Sequence, residues 1–150
     1  MRYLLIDQIT DWQEGRRITG IKNIAMSEDF LEYHFRSQPI MPGVLLLEAL
    51  TQLAGWLEAV SSDFTDWISI NKVRRCSFYG FALPGDQVEL AVEFLSEEEA
   101  GTKLYRGSGK VKGKKKIAVE FGGKIGPLSE LEDPQQQRKF FQILNRETQL

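Results

Sequence analysis

Residues 34–52 read HFRSQPIMPGVLLLEALTQ, and this stretch decides what the rest of the chain has to be. It opens on His34, the chain's single histidine. Pro39, Ile40, Met41, Pro42 and Gly43 follow as a stiff turn, because proline fixes its own φ and holds the residue before it extended. Gly43 lets the backbone swing sharply into a helix over 44–61. Val44, Leu45, Leu46, Leu47, Ala49, Leu50, Leu53, Ala54, Trp56 and Leu57 cover most of that helix's circumference. A helix apolar nearly all round is either a membrane span or the buried centre of a domain. Its exceptions, Glu48, Thr51, Gln52 and Gly55, recur at helical spacing and form one narrow stripe. Glu48 therefore reads as a buried acid one turn into an oily helix, which is costly without a purpose or a partner. A lone histidine poised to meet it points to acid/base chemistry.

A globular domain built on one central helix needs a sheet to wrap it, and the flanking sequence supplies one. Residues 3–12 and 16–26 read as two strands joined near Glu14 and Gly15. Ser27 is placed to cap a short helical turn over 28–33. Trp67, Ile68, Ser69 and Ile70 begin a strand that runs to about Phe78, and Pro84, Gly85 and Asp86 form a turn. Val88, Leu90, Val92 and Phe94 alternate with Glu89, Ala91 and Glu93, the pattern of a half-buried strand. Residues 102–111 and 116–125 form a further hairpin around Lys112, Gly113 and Lys114. The reading is α+β with a mainly antiparallel sheet. Beyond it, Asp133 and Pro134 read as an N-cap followed by proline at the first helical position, with helix over 134–144 carrying Phe140, Phe141 and Leu144 on one side. The expected division is a main domain over 1–126 and an extension over 127–150 that docks on the body and restricts whatever cavity the domain holds.

The bulk numbers narrow the function classes. One domain is expected from 150 residues, with 42% hydrophobic and 27% charged content typical of a soluble globular protein. The net charge of −2 gives no global reason to expect nucleic acid as a partner. One cysteine, Cys76, permits no internal disulfide and fits a reducing cytoplasm. One histidine and one cysteine leave too few nitrogen and sulfur ligands for a metal site, and no cofactor motif is present. Gly107-Ser108-Gly109-Lys110 imitates the end of a phosphate loop, but Leu104 stands where its first glycine is required. No signal peptide and no stretch approaching the roughly 20 apolar residues of a membrane span are visible.

The stretch resembles the signature of the 3-hydroxyacyl-acyl carrier protein dehydratases of the hotdog superfamily, Z type: His-Phe-Pro-Gly-His-Pro-x-Met-Pro-Gly, then a helix with an acid near its start. His34, Phe35, Pro39, Met41, Pro42, Gly43, Glu48 and Gln52 fall on matching positions. The resemblance covers roughly residues 3–125 and implies a hotdog fold, an antiparallel sheet wrapped around the long helix. It implies dehydration of a 3-hydroxyacyl thioester to the trans-2-enoyl product in fatty acid biosynthesis or a related lipid pathway. In that reading His34 is the base and Glu48 the acid. The Gly43 N–H polarises the thioester carbonyl, the Ile40 carbonyl orients the imidazole, and the Gln52 amide holds the Glu48 carboxyl group. The chemistry is apt: histidine is a base near neutral pH, a carboxylic acid among apolar groups can stay protonated, and a helix N-terminus offers free N–H groups to an oxyanion.

The resemblance further implies an acyl carrier protein with a phosphopantetheine-linked acyl chain as partner. It also implies a homodimer with active sites shared between subunits, and trimers of such dimers. Departures from the pattern fall at Tyr33, where glycine is usual, and at Arg36, Ser37 and Gln38, where Pro-Gly-His is usual. Tyr33 and Arg36 thus stand to narrow the entrance or read a different acyl group. Lys110, Lys112, Lys114, Lys115 and Lys116 form a basic run, either a solvated hairpin or, with Arg16 and Arg17, a docking surface for an acidic carrier. Two other readings stay open at this point: a hotdog acyl thioesterase, and a non-catalytic acyl-carrier-binding protein that kept the fold.

Overall fold

The computed structural model describes residues 4–99 and 101–146. Six strands, β1 (Gln8–Gln13), β2 (Arg17–Asn23), β3 (Asp66–Phe78), β4 (Gln87–Glu99), β5 (Thr102–Val111) and β6 (Lys114–Pro127), form one sheet in the order β1-β2-β4-β5-β6-β3. Every neighbouring pair is antiparallel. The long helix α1 (Gly43–Ser61) lies against β2 to β6. Register shifts interrupt the β1/β2, β3/β6, β4/β5 and β5/β6 ladders. Each such bulge bends its strand and adds twist, which lets a broad sheet curl around one helix instead of stacking flat beside it.

The core follows from periodicity. Ile18, Val88, Leu90, Val92, Tyr105, Ile117, Val119 and Phe121 point inward from the strands, and Leu46, Ala49, Leu50, Leu53, Ala54 and Leu57 meet them from α1. Two glycines let the backbones close up: a Cβ at Gly107 would sit 3.1 Å from Leu50 Cδ1, and one at Gly20 would sit 3.3 Å from Leu53 Cδ1. By length and mean hydropathy α1 is apolar enough to cross a membrane. Its place in the core accounts for that composition, since a helix surrounded by sheet has little need of polar residues.

β3, β4 and the later hairpin sit close to where the sequence places them, with β6 running longer at both ends than the expected 116–125. Two expectations need correction. The first strand begins at Gln8, not residue 3; Leu5 and Ile6 are buried but follow an irregular path, and residue 3 lies outside the described residues. Ser27 caps nothing: the short turn is a 3-10 helix over Asp29–Glu32 whose N-cap position is Glu28, with no side-chain cap. Its start is held by the backbone, Glu28 N–H to Ala25 O and Leu31 N–H to Glu28 O, both at 3.1 Å.

The C-terminal helix α2 (Pro134–Leu144) forms as read, with the Asp133 side chain accepting Gln135 N–H at 3.0 Å and proline in the first turn. It is anchored in the common core. Phe141 packs against Trp12, Trp56 and Phe64 with ring centroids 5.3–5.8 Å apart. Arg138 pairs with Asp63 at 2.9 Å and lies over the Phe64 ring. Asp63 and Phe64 both take positive φ, 55° and 63°, turning the chain sharply after α1 and tucking the Phe64 ring beneath α2.

Candidate active site

The histidine loop is tied into a closed unit by its own backbone. Phe35 and Gln38 exchange N–H···O bonds at 3.1 Å in both directions, and Ile40 N–H donates to His34 O at 2.8 Å. His34 Nδ1 lies 3.1 Å from Ile40 O. A carbonyl can only accept, so this contact places the proton on Nδ1 and leaves the Nε2 lone pair available as a base. Phe35 stacks on the imidazole with ring centroids 4.2 Å apart. Met41 N–H donates to Ala82 O at 2.9 Å, fixing the loop to the segment after β3. The expected pairing of His34 with the Ile40 carbonyl is therefore present.

Gly43 is the first residue of α1, and no side chain caps that helix start. The N–H groups of a first turn have no partner inside the helix and carry its positive dipole end. A Cβ at Gly43 would lie 2.6 Å from the Phe78 ring, so the end of β3 packs directly on the backbone there. Substitution would force that ring away from the turn.

Glu48 is a correction. The single chain leaves it exposed, where the sequence reading buries it. The buried face of α1 carries Leu46, Ala49, Leu50, Leu53 and Leu57, and Glu48 falls on the flank the sheet does not reach. Its carboxyl group is nevertheless held. Gln52 Nε2 donates to Glu48 Oε1 at 3.2 Å, and Thr51 Oγ1 lies 3.1 Å from Oε2 and 2.8 Å from the Glu48 backbone oxygen. Gln52 Oε1 in turn accepts Leu5 N–H at 3.0 Å. The amide thus links the acid to the segment before β1. The sequence pointed to Gln52 through its i+4 spacing; Thr51 stood on the same polar stripe without a role, and nothing local signalled Leu5.

Glu48 and Gln52 open into a cavity of about 330 Å³ whose lining includes Ile6, Trp56, Trp67, Leu128, Leu131 and Phe140. His34 does not line it. Nor do Tyr33 and Arg36: Tyr33 is 73% exposed, and Arg36 borders a separate surface depression with Glu28, Asp29 and Pro39. Gly55, read as part of the polar stripe, is instead a contact point, since a Cβ there would lie 2.1 Å from the Trp67 ring.

Sequence reasoning passed over one buried acid. Glu58, 5% exposed, accepts a short hydrogen bond from the Tyr105 hydroxyl and pairs with Lys103 at 3.1 Å. Burial, then the hydrogen bond to Glu58, then the charges of Glu58 and Glu97 hold the Tyr105 hydroxyl far above its ordinary range. The trio faces β5 in the core and completes its own hydrogen bonding, which marks it as structural.

The basic run lies at the same end of the molecule as the histidine loop. Tyr79 N–H donates to Lys116 O at 2.9 Å, Lys115 lies over the Tyr79 ring, and the neighbouring Phe78 meets Gly43. Arg17, paired with Asp11 at 3.0 Å, lines the same surface depression as Lys110 and Lys115.

A curved antiparallel sheet around one central helix, with a histidine loop leading into that helix, defines a hotdog-fold protein. Among solved structures, smu.793 from Streptococcus mutans, bound to acetyl CoA, superposes with a TM-score of 0.66 over 85% of this chain and 94% of its own, at 11% identity. The chain belongs to the FabA-like domain family, which matches residues 1–121. Curated relatives include the 3-hydroxyacyl-acyl-carrier-protein dehydratase FabZ of Syntrophotalea carbinolica, 35% identical over 85% of this chain and 88% of that relative. The FabZ dehydratase of Proteus mirabilis is 36% identical over 79% of each.

Proposed function

We propose that this protein dehydrates 3-hydroxyacyl groups carried on acyl carrier protein to trans-2-enoyl groups, as its FabZ relatives are named for doing, in fatty acid synthesis or a related lipid pathway. The observation that carries the reading is the His34–Ile40 clasp: it directs Nε2 outward as a base, immediately before a helix start that offers N–H groups to an oxyanion. His34 Nε2 takes a proton from C2, and the electron pair moves toward the thioester oxygen, whose developing charge is stabilised by a hydrogen bond donated by the Gly43 N–H. The C2–C3 double bond forms as the C3–O bond breaks. Protonated Glu48 gives its proton to the departing hydroxyl, which leaves as water. Proton return from the imidazolium to the Glu48 carboxylate, through solvent, resets the site.

His34 does not line the cavity that holds Glu48, which supports sites that pair Glu48 of one chain with His34 of the partner subunit. Support for such a dimer comes from β3, an edge strand of 13 residues, and from exposed Val44, Val73, Phe78, Tyr79 and Phe81. A long unpaired edge with apolar neighbours is a template for association. Higher assembly as a trimer of dimers, an acyl carrier partner recognised by the lysine hairpin, and a cytoplasmic setting belong to the same proposal.

The test is enoyl formation from carrier-linked 3-hydroxyacyl substrate, with free thiol release measured in parallel to detect a thioesterase. His34→Ala and Glu48→Gln should each keep the fold and lose about 10²- to 10⁴-fold in rate. Mixing the two variants should rebuild one intact site per heterodimer and restore part of the activity. Wild-type rates in either folded variant, or no rescue after demonstrated subunit exchange, would overturn the assignment.

A further inference from the structure

The cavity beside Glu48 has one wall built from residues beyond the family match. α1 contributes Glu48, Gln52 and Trp56, successive i+4 positions and so one line down the helix. Facing them are Leu128, Leu131, Glu132, Gln137 and Phe140, all from the segment that follows β6. The family match ends at residue 121, ahead of every one of these wall residues.

The far end is closed by aromatic rings. Trp67 meets Trp56 edge-on at 5.3 Å, and Phe140 stacks on Trp56 at 5.8 Å. Trp67 is seated against the α1 backbone at Gly55, where not even a methyl group would fit, so it has no room to retreat toward the helix. Phe140 is held by its neighbour Phe141, which is buried in the core. Glu48, Gln52, Glu132 and Gln137 bring polar atoms to the lining, and Ile6, Trp56, Trp67, Leu128 and Phe140 bring apolar ones.

Resting on the dehydratase reading, we propose that this C-terminal wall is the chain-length determinant: Leu131, Gln137 and Phe140, with Trp56 and Trp67, stop the acyl chain of the substrate a fixed distance beyond Glu48. Two estimates set that distance. Glu48 and Trp56, two i+4 steps apart, are separated by about 12 Å along the helix axis at about 1.5 Å per residue. An extended chain of about ten carbons, with bonds of about 1.5 Å, spans the same length. The ligand is therefore a short or medium acyl chain, entering past Glu48 and ending against the rings.

The experiment measures kcat/KM for full-length protein on carrier-linked 3-hydroxyacyl substrates from short to long. Wild-type protein should show a sharp fall beyond about ten carbons, since each group a pocket excludes is worth about 10-fold or more. Phe140→Ala and Leu131→Ala should move the fall to longer chains, seen as a rise of about 10-fold or more in the long-to-short ratio. Leu131→Trp should move it to shorter ones. Leu131 is 57% exposed, so its variants test the wall even if Phe140→Ala loosens the aromatic packing. Ile143→Ala, on the exposed face of α2 and outside the cavity, should leave the profile alone. An unchanged length profile in folded Leu131→Ala and Leu131→Trp overturns the wall proposal while the dehydratase reading stands. Absence of dehydration at every length in wild-type protein overturns both.

Discussion

Replacing Gln52 by leucine removes the link between Glu48 and the N-terminal segment while keeping most of the side chain's bulk. Two of the amide's hydrogen bonds are among the interactions lost. Gln52 Oε1 accepts Leu5 N–H at 3.0 Å, and Leu5 is buried. A buried donor left without its acceptor costs about 1–3 kcal/mol. The Gln52 Nε2–H to Glu48 Oε1 bond is longer, at 3.2 Å, and exposed, so it adds about 0.5 kcal/mol, the low end for such bonds. Together the variant should lose about 1.5–3.5 kcal/mol, which for a chain of this length lowers Tm by about 3–14 °C. Circular dichroism melts at fixed protein concentration give that number. Activity should fall as well, because the Glu48 carboxyl group loses one of its two orienting partners. A misplacement of about 1 Å can cost about 10²-fold in rate. The decisive measurement is a double-mutant cycle with Glu48→Gln, followed by enoyl formation. If Gln52 acts through Glu48, Gln52→Leu should cost much less in the Glu48→Gln background than in wild type. Equal losses in the two backgrounds would refute the positioning role. An unchanged Tm would refute the Leu5 bridge.

Tyr105 is held neutral in the folded state by burial and by its bond to Glu58, while the unfolded tyrosine ionises near about 10. The folded state then binds more protons than the unfolded one, so this contribution is present below pH about 10 and is lost as pH rises above it. Tyr105→Phe should flatten that alkaline decline in urea midpoints, and an identical decline in the variant would exclude Tyr105 as its source. Charge reversal at Lys114 and Lys115 should raise KM for carrier-linked substrate and weaken the salt dependence of kcat/KM, since screening acts on long-range attraction; unchanged kinetics would make the hairpin merely a solvated face. Asp133→Ala should remove the α2 cap at a cost of about 1 kcal/mol and speed amide exchange over 135–144, whereas rapid exchange there in the unaltered protein would show that α2 is not docked.

What the sequence disclosed divides along a physical line. α2 was legible because its signals are local: Asp133 and Pro134 sit at its first turn, and Phe140, Phe141 and Leu144 share one side. α1 was legible because a long apolar helix has few other places to go, and the strands because alternation marks a half-buried face. The histidine loop was legible as a motif, and its pairing of Nδ1 with Ile40 O closes over only six residues. Exposure of Glu48 was not legible, because helical periodicity gives the angle of a side chain but not the point where the surrounding sheet stops. Glu58 is the reverse case. Its partners Lys103 and Tyr105 lie 45 and 47 residues away, so nothing nearby in sequence marks it as an acid that can be buried.

The cavity shows why function is harder to read than fold. Glu48 and the wall at Leu131 and Phe140 are far apart in the sequence and meet because α2 is drawn into the core through Phe141 and Leu144. The residues that dock α2 are large and apolar, and any sequence pattern finds them. Of the cavity's wall, Gln137 and Phe140 are their neighbours on that helix, and Leu131 precedes it. A cavity wall built this way can change its depth by a substitution at Leu131 without disturbing the His34 loop, the Gly43 helix start or the Glu48 carboxyl group. On the proposed reading, variants at Leu131 should alter chain-length preference while leaving the pH dependence of the chemical step in place.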